Sequence, residues 1–172
     1  MNWFFHLPCM RILLLILSLS WLPAQATTCF DLAAQRYRVP VALLKAIALQ
    51  ESGGRANAMN RNPNGTYDIG MMQINSTWLP TLARHGIAAQ HLLDPCVSTL
   101  VGAWILSNNF ARLGYTTQGL GAYNAASPDK RERYARQVLR QVSQLSAVSV
   151  PAPVPSQHLA ISTYTPQVVR TP

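Results

Sequence analysis

Acidic residues are scarce in this sequence. Only six of its 172 residues are acidic, against 14 lysines and arginines, and the net charge is +8. Such an excess of positive charge suggests a polyanionic partner, and both nucleic acid and an acidic cell-wall polymer fit that description. Because carboxylates are few, two that fall within one short segment form a candidate pair; the acidic residues are Asp31, Glu51, Asp68, Asp94, Asp129 and Glu132.

Several motifs that carry chemistry in other proteins are also missing. The sequence contains no internal repeat, no phosphate-binding loop, no nucleophile elbow and no His/Cys cluster with metal-ligand spacing. No set of strands combines aromatic and basic residues in the way that nucleic-acid-binding domains do. We therefore expect no metal, no cofactor and no nucleic-acid partner.

Long apolar runs are absent after the N-terminal region. There, Arg11 precedes the apolar run 12–17, and the segment Pro23-Ala24-Gln25-Ala26 has the small-residue pattern of a cleavage site. The run is shorter than the about 20 residues that a membrane span needs. The pattern predicts a cleavable secretory signal peptide over residues 1–26 and no stable membrane anchor after its removal.

Cysteine is rare, with three residues in the chain. Cys9 lies within the predicted signal peptide, so the mature chain keeps Cys29 and Cys96. An even number of cysteines in an exported protein predicts one disulfide, and two separate buried thiols are the alternative. In the chain-entropy model, a disulfide closing a loop of this length stabilises the fold by about 4 kcal/mol.

The first candidate carboxylate ends an apolar helical segment that follows Pro40. Leu44, Ile47, Ala48 and Glu51 are spaced i, i+3, i+4 and i+7, so they share one face of a helix, which Ser52-Gly53-Gly54 then ends. Glu51 thus continues the core-facing stripe. Because a carboxyl group at the edge of an apolar face loses hydration when it ionises, its pKa is expected to rise, as a general acid at neutral pH requires.

The second candidate carboxylate lies in a segment rich in asparagine and glycine. Asn64-Gly65 predicts a hairpin turn that leads into a short strand carrying Asp68. Apolar and amide side chains then alternate over residues 70–75. Two carboxyl groups beside amide donors are suited to cleaving a glycosidic bond, since one protonates the leaving oxygen and a second group stabilises the sugar cation.

The remaining segments predict a single, mainly α domain over residues 27–146. Asn75 caps a helix that continues to about Arg84. Asp94-Pro95 opens a long apolar helix over 96–113, and Gly114 ends it. From Pro128 a basic amphipathic helix follows, with an apolar side formed by Tyr134, Val138, Leu139 and Val142. Residues 147–172 are rich in Pro, Ser and Thr, which predicts a disordered tail.

Three blocks of this sequence resemble the lysozyme-like lytic transglycosylases. They are Glu51-Ser52 after a helix, the hexapeptide over residues 70–75, and Ala122-Tyr123-Asn124. Together they span most of residues 29–126, and the chain is most similar to the small specialised transglycosylases that accompany conjugation and type III or type IV secretion systems. The stretch from Glu51 to Trp78 is also similar to C-type lysozymes, including the separation between Glu51 and Asp68.

The predicted helices, hairpin and cysteine count, taken with this resemblance, predict a mainly α, lysozyme-like fold with a small β-hairpin and one disulfide, Cys29–Cys96. The resemblance implies an enzyme that cleaves the β-1,4 bond between N-acetylmuramic acid and N-acetylglucosamine in peptidoglycan. It implies that Glu51 is the catalytic acid and base and that Asp68 is a second catalytic carboxylate or a structural acceptor. The implied substrate-binding residues are Ser52, Met72, Gln73, Asn75, Tyr123 and Asn124.

Two alternatives to a transglycosylase remain open at this stage. A lysozyme-type hydrolase would use Asp68 to stabilise or capture the sugar cation and would admit water. A non-catalytic lysozyme-like module would instead bind the cell wall or assist assembly. By analogy with the family, the expected partners are peptidoglycan glycan strands and proteins of a secretion or conjugation apparatus, and the expected location is the periplasm.

Overall fold

A computed structural model describes residues 27–148; the predicted signal peptide and residues 149–172 lie outside the described residues. The prediction of a mainly α fold with a small β element and one disulfide is confirmed. The helices and strands are α1 (Cys29–Tyr37), α2 (Val41–Ser52), β1 (Met59–Arg61), β2 (Tyr67–Ile69), β3 (Ile74–Asn75), α3 (Leu79–Ala83), α4 (Pro95–Leu113), α5 (Thr117–Gly121) and α6 (Pro128–Val148), with 3₁₀ turns at Ser76–Trp78 and Ala89–Leu93.

The predicted disulfide joins the N-terminal ends of α1 and α4. Cys29 is the first residue of α1 and Cys96 the second of α4, and their Sγ atoms are bonded. Thr28 and Asp31 form a reciprocal capping box at the start of α1, while the Asp94 side chain accepts from the backbone N–H groups of Cys96 and Val97 at the start of α4. Both helix starts are therefore fixed twice, by a cap and by the covalent link.

Helix α2 places Glu51 at the boundary between core and surface. Leu44, Ile47 and Ala48 on its predicted apolar face are buried in the core. Pro40 is the N-cap, one residue before the helix, and Gly53 ends the helix with a left-handed φ of 65°. That conformation is accessible to glycine without steric cost, so the helix ends one residue after Glu51 and leaves its side chain at the edge of the core.

The predicted hairpin extends into a three-stranded antiparallel sheet of order β1-β2-β3. Asp68 on β2 is flanked by Asn60 of β1 and Asn75 of β3. The third strand was not predicted. It forms because the chain turns back after β2 through two residues with positive φ, Gly70 at 76° and Gln73 at 47°. Gly70 is also required by space, since a Cβ there would lie 1.9 Å from the Leu92 carbonyl oxygen.

Helices α4 and α6 enclose the core from two sides. Gly114 follows α4 as predicted, and Tyr134 and Val138 of α6 are buried while Val142 is partly buried. The assignment of Leu139 to this apolar side was wrong, because its side chain is 43% exposed. Leu139 follows Val138 directly, so it is rotated by about 100° around the helix axis and leaves the buried stripe.

Helix α6 continues to Val148, two residues beyond the domain end predicted from composition. Among residues 27–148, no helix combines the length and apolar character that crossing a membrane requires.

Candidate active site

A cleft of about 290 Å³ lies between the sheet and the helices. Its walls come from the end of α2, strands β2 and β3, helix α4 and the segment after α5. It contains most of the residues predicted from the sequence, namely Glu51, Asp68, Gln73, Asn75, Tyr123 and Asn124, together with Asn62, Ile74, Trp78 and Ile105. The fold therefore brings the three sequence blocks to one surface.

Glu51 is the most strongly perturbed carboxyl group of the cleft. Burial raises its pKa from the ordinary 4.5 to about 7; the nearby charge of Asp68 adds to the increase, and a hydrogen bond from Tyr134 opposes it. The direction is the one that the helical stripe predicted. A carboxyl group with a pKa near neutrality is populated in both protonation states, so it is equipped to give a proton and to take one back.

Tyr134 of α6 is a site residue that the sequence did not reveal as one. Its hydroxyl donates to Glu51 Oε1 at 2.5 Å. Burial and the negative charge of Glu51 raise the pKa of Tyr134 well above its usual value, so the hydroxyl keeps its proton. The available indication was a tyrosine on an otherwise aliphatic stripe, since a buried tyrosine hydroxyl needs a hydrogen-bond partner.

Replacing Tyr134 by phenylalanine is expected to raise the pKa of Glu51 further. The hydroxyl favours the ionised carboxylate, and a hydrogen bond to a charged group contributes about 1.5–3 kcal/mol. If Glu51 is the acid of a catalysed reaction, we expect the alkaline limb of the pH dependence of kcat/KM to move to higher pH by about one unit. Tyr115→Phe, at a tyrosine that is 61% exposed, is the control. An unchanged profile for Tyr134→Phe would show that this hydrogen bond does not tune Glu51.

Asp68 faces the same cleft and is held by two asparagines. Asn75 Nδ2 donates to its Oδ1 at 2.7 Å, and Asn62 Nδ2 donates to its Oδ2 at 3.0 Å. Each carboxylate oxygen thus accepts one amide hydrogen bond, which fixes the plane of the group. The negative charge of Asp68 raises the pKa of Glu51, so the two carboxyl groups interact electrostatically.

The amides predicted to hold N-acetyl groups are engaged within the protein. Gln73 donates to the carbonyl oxygens of Ala58 and Gly70 and accepts from Asn60, and its side chain is buried. Asn75 donates to Asp68 and Thr66 and accepts from the Thr77 N–H. Both residues line the cleft, but their side-chain amide hydrogens stabilise the sheet and its turn, so sugar binding through those hydrogens would require rearrangement.

Ser52 and Met72 lie outside the cleft lining. Ser52 is buried and its hydroxyl donates to the Met71 carbonyl oxygen at 2.7 Å, which ties α2 to the turn before β3. Met72 is fully buried, and its carbonyl oxygen accepts from the Tyr123 hydroxyl at 2.9 Å. Because neither side chain is part of the cleft lining, both residues support the site from behind.

Gly102, inside α4, makes room for the contact between Tyr123 and Met72. A Cβ at this position would lie 2.7 Å from Met72 Cε and 2.9 Å from the Tyr123 hydroxyl oxygen. Tyr123 in turn stacks on Tyr134, with ring centroids 6.4 Å apart and planes 14° apart, and Tyr134 holds Glu51. The glycine therefore supports the packing behind the Glu51 carboxyl group.

Gly102→Ala is expected to destabilise the fold by about 1–3 kcal/mol, as overpacked cores do. Helix propensity alone would give the opposite sign, because alanine is favoured over glycine by about 1 kcal/mol inside a helix. Denaturant unfolding measures the difference. Asn108→Ala, at an exposed position of the same helix, is the control and should change stability by less than about 0.5 kcal/mol. A stabilised Gly102→Ala variant would contradict the assigned role.

Groups free to contact a ligand remain at the cleft surface. The Asn124 side chain is exposed and has no hydrogen-bond partner among residues 27–148. Trp78 is partly buried and presents an indole ring to the cleft beside Ile105. Among residues 27–148, no group of three His, Cys, Asp or Glu side chains is placed to hold a metal ion. The cleft thus combines one acid of near-neutral pKa, a second carboxylate, an aromatic surface and a free amide.

Known proteins with similar sequences identify the family of this chain. Residues 28–142 match the family described as Transglycosylase SLT domain. The chain is 42% identical over 123 residues to X polypeptide of Escherichia coli, covering 67% of this chain and 73% of that protein. It is 39% identical over 126 residues to Invasion protein IagB of Salmonella typhimurium, covering 70% and 79%.

A third relative extends the same picture. Protein IpgF of Shigella flexneri is 36% identical over 126 residues, covering 70% of this chain and 83% of that protein. The family match begins beside Cys29 and ends within α6, so it includes both carboxyl groups of the cleft and Tyr134. On the extent of this match and on the identity to these relatives, the chain belongs to the transglycosylase SLT domain family.

Proposed function

We propose that this protein is a lytic transglycosylase that cleaves the β-1,4 bond between N-acetylmuramic acid and N-acetylglucosamine in peptidoglycan. The observation that carries the proposal is Glu51, a largely buried carboxyl group with a pKa of about 7 in an open cleft. Family membership supplies the substrate class. The net charge of +8 fits a polymer whose stem peptides carry carboxylates.

In the proposed reaction, Glu51 first acts as an acid and then as a base. Its proton passes to the glycosidic oxygen as the bond from that oxygen to the muramic acid C1 breaks, and the N-acetyl carbonyl of the substrate assists at C1. The ionised Glu51 then takes the proton of the sugar's own 6-hydroxyl, whose oxygen bonds to C1. The product is 1,6-anhydro-N-acetylmuramic acid, no water is consumed, and Glu51 ends protonated as it began.

The environment of Glu51 suits both steps of this reaction. Burial favours the neutral acid that the first step needs, while the Tyr134 hydroxyl stabilises the carboxylate that the second step needs. In this proposal, Asp68 stabilises positive charge near C1 through space, Asn124 contacts polar groups of the substrate, and Trp78 packs against a sugar face. Ser52, Met72, Gln73 and Asn75 hold the cleft in shape.

The second candidate is a lysozyme-type hydrolase, which is favoured by Asp68 lying in the same cleft as Glu51. The variant Asp68→Asn distinguishes the hydrolase from the transglycosylase. As a transglycosylase, the variant should lose less than about tenfold in rate, because Glu51 still performs both proton transfers. Some loss of rate is expected, because one of the two asparagines that donate to Asp68 would face an NH₂ group in place of a carboxylate oxygen. A fall of more than about 10³-fold would instead make Asp68 a second catalytic carboxylate.

Export and local opening of the cell wall complete the proposal. The sequence pattern of residues 1–26 predicts a secretory signal peptide, and the cell wall lies beyond the inner membrane. One relative carries the name Invasion protein IagB. We infer a periplasmic enzyme that serves a secretion or conjugation apparatus, and this inference rests on the relatives and not on the cleft.

The experiment that tests activity is the release of soluble fragments from purified peptidoglycan by the purified protein. We expect release by the wild type and none above background by Glu51→Gln. If neither protein released fragments, yet both bound peptidoglycan equally, the chain would be a non-catalytic wall-binding module and the proposal would be wrong. Circular dichroism of both proteins establishes that the comparison is between folded chains.

A further inference from the structure

A second concavity, of about 1020 Å³, lies between α1 and α4; we call it the α1–α4 groove. One stripe of α4, spaced i, i+3, i+4 and i+7, contributes to the lining, and so do four residues of α1. Helix α3, the segment after it and the second 3₁₀ turn contribute the rest. The lining residues are Val97, Leu100, Val101 and Trp104 on α4, Leu32, Gln35, Arg36 and Tyr37 on α1, and Leu82, His85, Ile87 and His91.

The α1–α4 groove is preformed and apolar. The Cys29–Cys96 disulfide joins the N-terminal ends of the two helices that form it, which restricts their separation. Leu32 in its lining is 47% exposed, and three of the four lining residues on α4 are aliphatic. Monomeric soluble proteins seldom expose large contiguous apolar patches, and such patches often mark interaction sites.

The charged residues of the groove lining favour one kind of partner. The lining contains one arginine and two histidines but no acidic residue. The ion pair between Arg136 and Glu132 is the only one within residues 27–148, so the Arg36 guanidinium has no carboxylate partner there. It lies 5.8 Å from the centre of the Tyr37 ring at the edge of the groove. An apolar surface bordered by an unpaired cation is complementary to an apolar segment that carries carboxylates.

We propose that the α1–α4 groove docks an amphipathic helix of a partner protein, with the apolar stripe of that helix in the groove and an acidic side chain on Arg36. Helices commonly bind in this way, through apolar anchors spaced i, i+3, i+4 and i+7. A glycan strand is less suited to this surface because its hydroxyl groups would face aliphatic side chains without hydrogen-bond partners. This docking site is separate from glycan cleavage and does not depend on an active cleft.

The groove and the cleft share a pair of tryptophans. Trp104 lines the groove and Trp78 lines the cleft, and their rings meet edge to face with centroids 5.3 Å apart. A helix seated in the groove would contact Trp104 directly. Docking would therefore place the partner beside the cleft without occupying it.

The test uses two synthetic peptides of about 15 residues, the length at which isolated helices become marginally stable. Both carry leucines at i, i+3, i+4 and i+7; the remaining positions are glutamate in one peptide and lysine in the other. We expect the purified protein to bind the glutamate peptide at least tenfold more tightly in fluorescence anisotropy, with NMR shift changes at Leu100 and Trp104. Arg36→Glu should reduce this preference at least fivefold, and Leu32→Ser should weaken binding of the glutamate peptide at least fivefold.

Two variants on α6 are matched controls, since Leu139 is 43% exposed and Arg140 is exposed. Leu139→Ser and Arg140→Glu should leave binding unchanged. Equal affinity for both peptides, equal losses in the α6 controls, or shift changes outside the groove would each overturn the proposal. So would groove resonances that respond to soluble muropeptides, because the groove would then extend the glycan site. Each readout is independent of whether the protein cleaves peptidoglycan.

Discussion

Glu51→Gln is expected to reduce the release of soluble peptidoglycan fragments by a factor of about 10³ or more. Glutamine keeps the size of the side chain and an oxygen that accepts the Tyr134 hydrogen bond, but it has no proton to give at neutral pH. In the proposed mechanism, both proton transfers pass through this one group. General acid–base catalysis by a positioned side chain contributes about 10²–10⁴-fold, and loss of both steps lies at the upper end of that range.

Fragment release is measured as soluble ultraviolet-absorbing material from purified peptidoglycan, because 1,6-anhydro products have no reducing end. Glu132→Gln is the matched control, because Glu132 lies on α6 and pairs only with Arg136 at the surface. That variant should retain wild-type activity. If Glu51→Gln released fragments at a tenth of the wild-type rate or faster, another group would have to supply the proton and the assignment of Glu51 would be wrong.

The same substitution is expected to stabilise the fold at alkaline pH. The pKa of Glu51 is raised in the folded protein, so the folded state holds a proton that the unfolded state has released between about pH 4.5 and 7. Stability from this group therefore falls as the pH rises through that window. With 1.36 kcal/mol for each unit between 4.5 and about 7, the ionised group costs about 3 kcal/mol above pH 7.

Urea unfolding of Glu51→Gln and wild type at pH 4 and at pH 8 measures this difference. We expect similar free energies of unfolding at pH 4, where Glu51 is neutral in both states, and a variant more stable by up to about 3 kcal/mol at pH 8. A variant that gained the same amount at both pH values would indicate a packing effect. No gain at pH 8 would mean that Glu51 ionises at an ordinary pKa, and the argument for a neutral acid would fail.

The sequence predicted the position of Glu51 because one periodic helix determines it. Leu44, Ile47 and Ala48 define the buried face, and the glycines after Ser52 define the end, so the carboxyl group had to lie at the edge of the core. Equally local features predicted the disulfide, from an even cysteine count, and the start and end of α4, from a capping aspartate and a terminating glycine.

Contacts between distant segments could not be predicted from the sequence. Tyr134 lies 83 residues after Glu51, and the apolar stripe of α6 shows that it is buried without showing what its hydroxyl meets. The third strand was missed because it has only two residues and depends on the left-handed backbone of Gln73. The amide residues of the cleft suggested ligand binding. Instead, Gln73 donates to backbone carbonyl groups and Asn75 donates to Asp68, which only the complete hydrogen-bond pattern reveals.

The most direct test of the central proposal is the mass of the muropeptides that the purified protein releases from peptidoglycan. The proposed mechanism consumes no water, so the products should end in 1,6-anhydro-N-acetylmuramic acid and be lighter by one water than the corresponding hydrolysis products, with none released by Glu51→Gln. Products with free reducing ends would contradict the transglycosylase mechanism and would identify a hydrolase in which Asp68 acts beside Glu51.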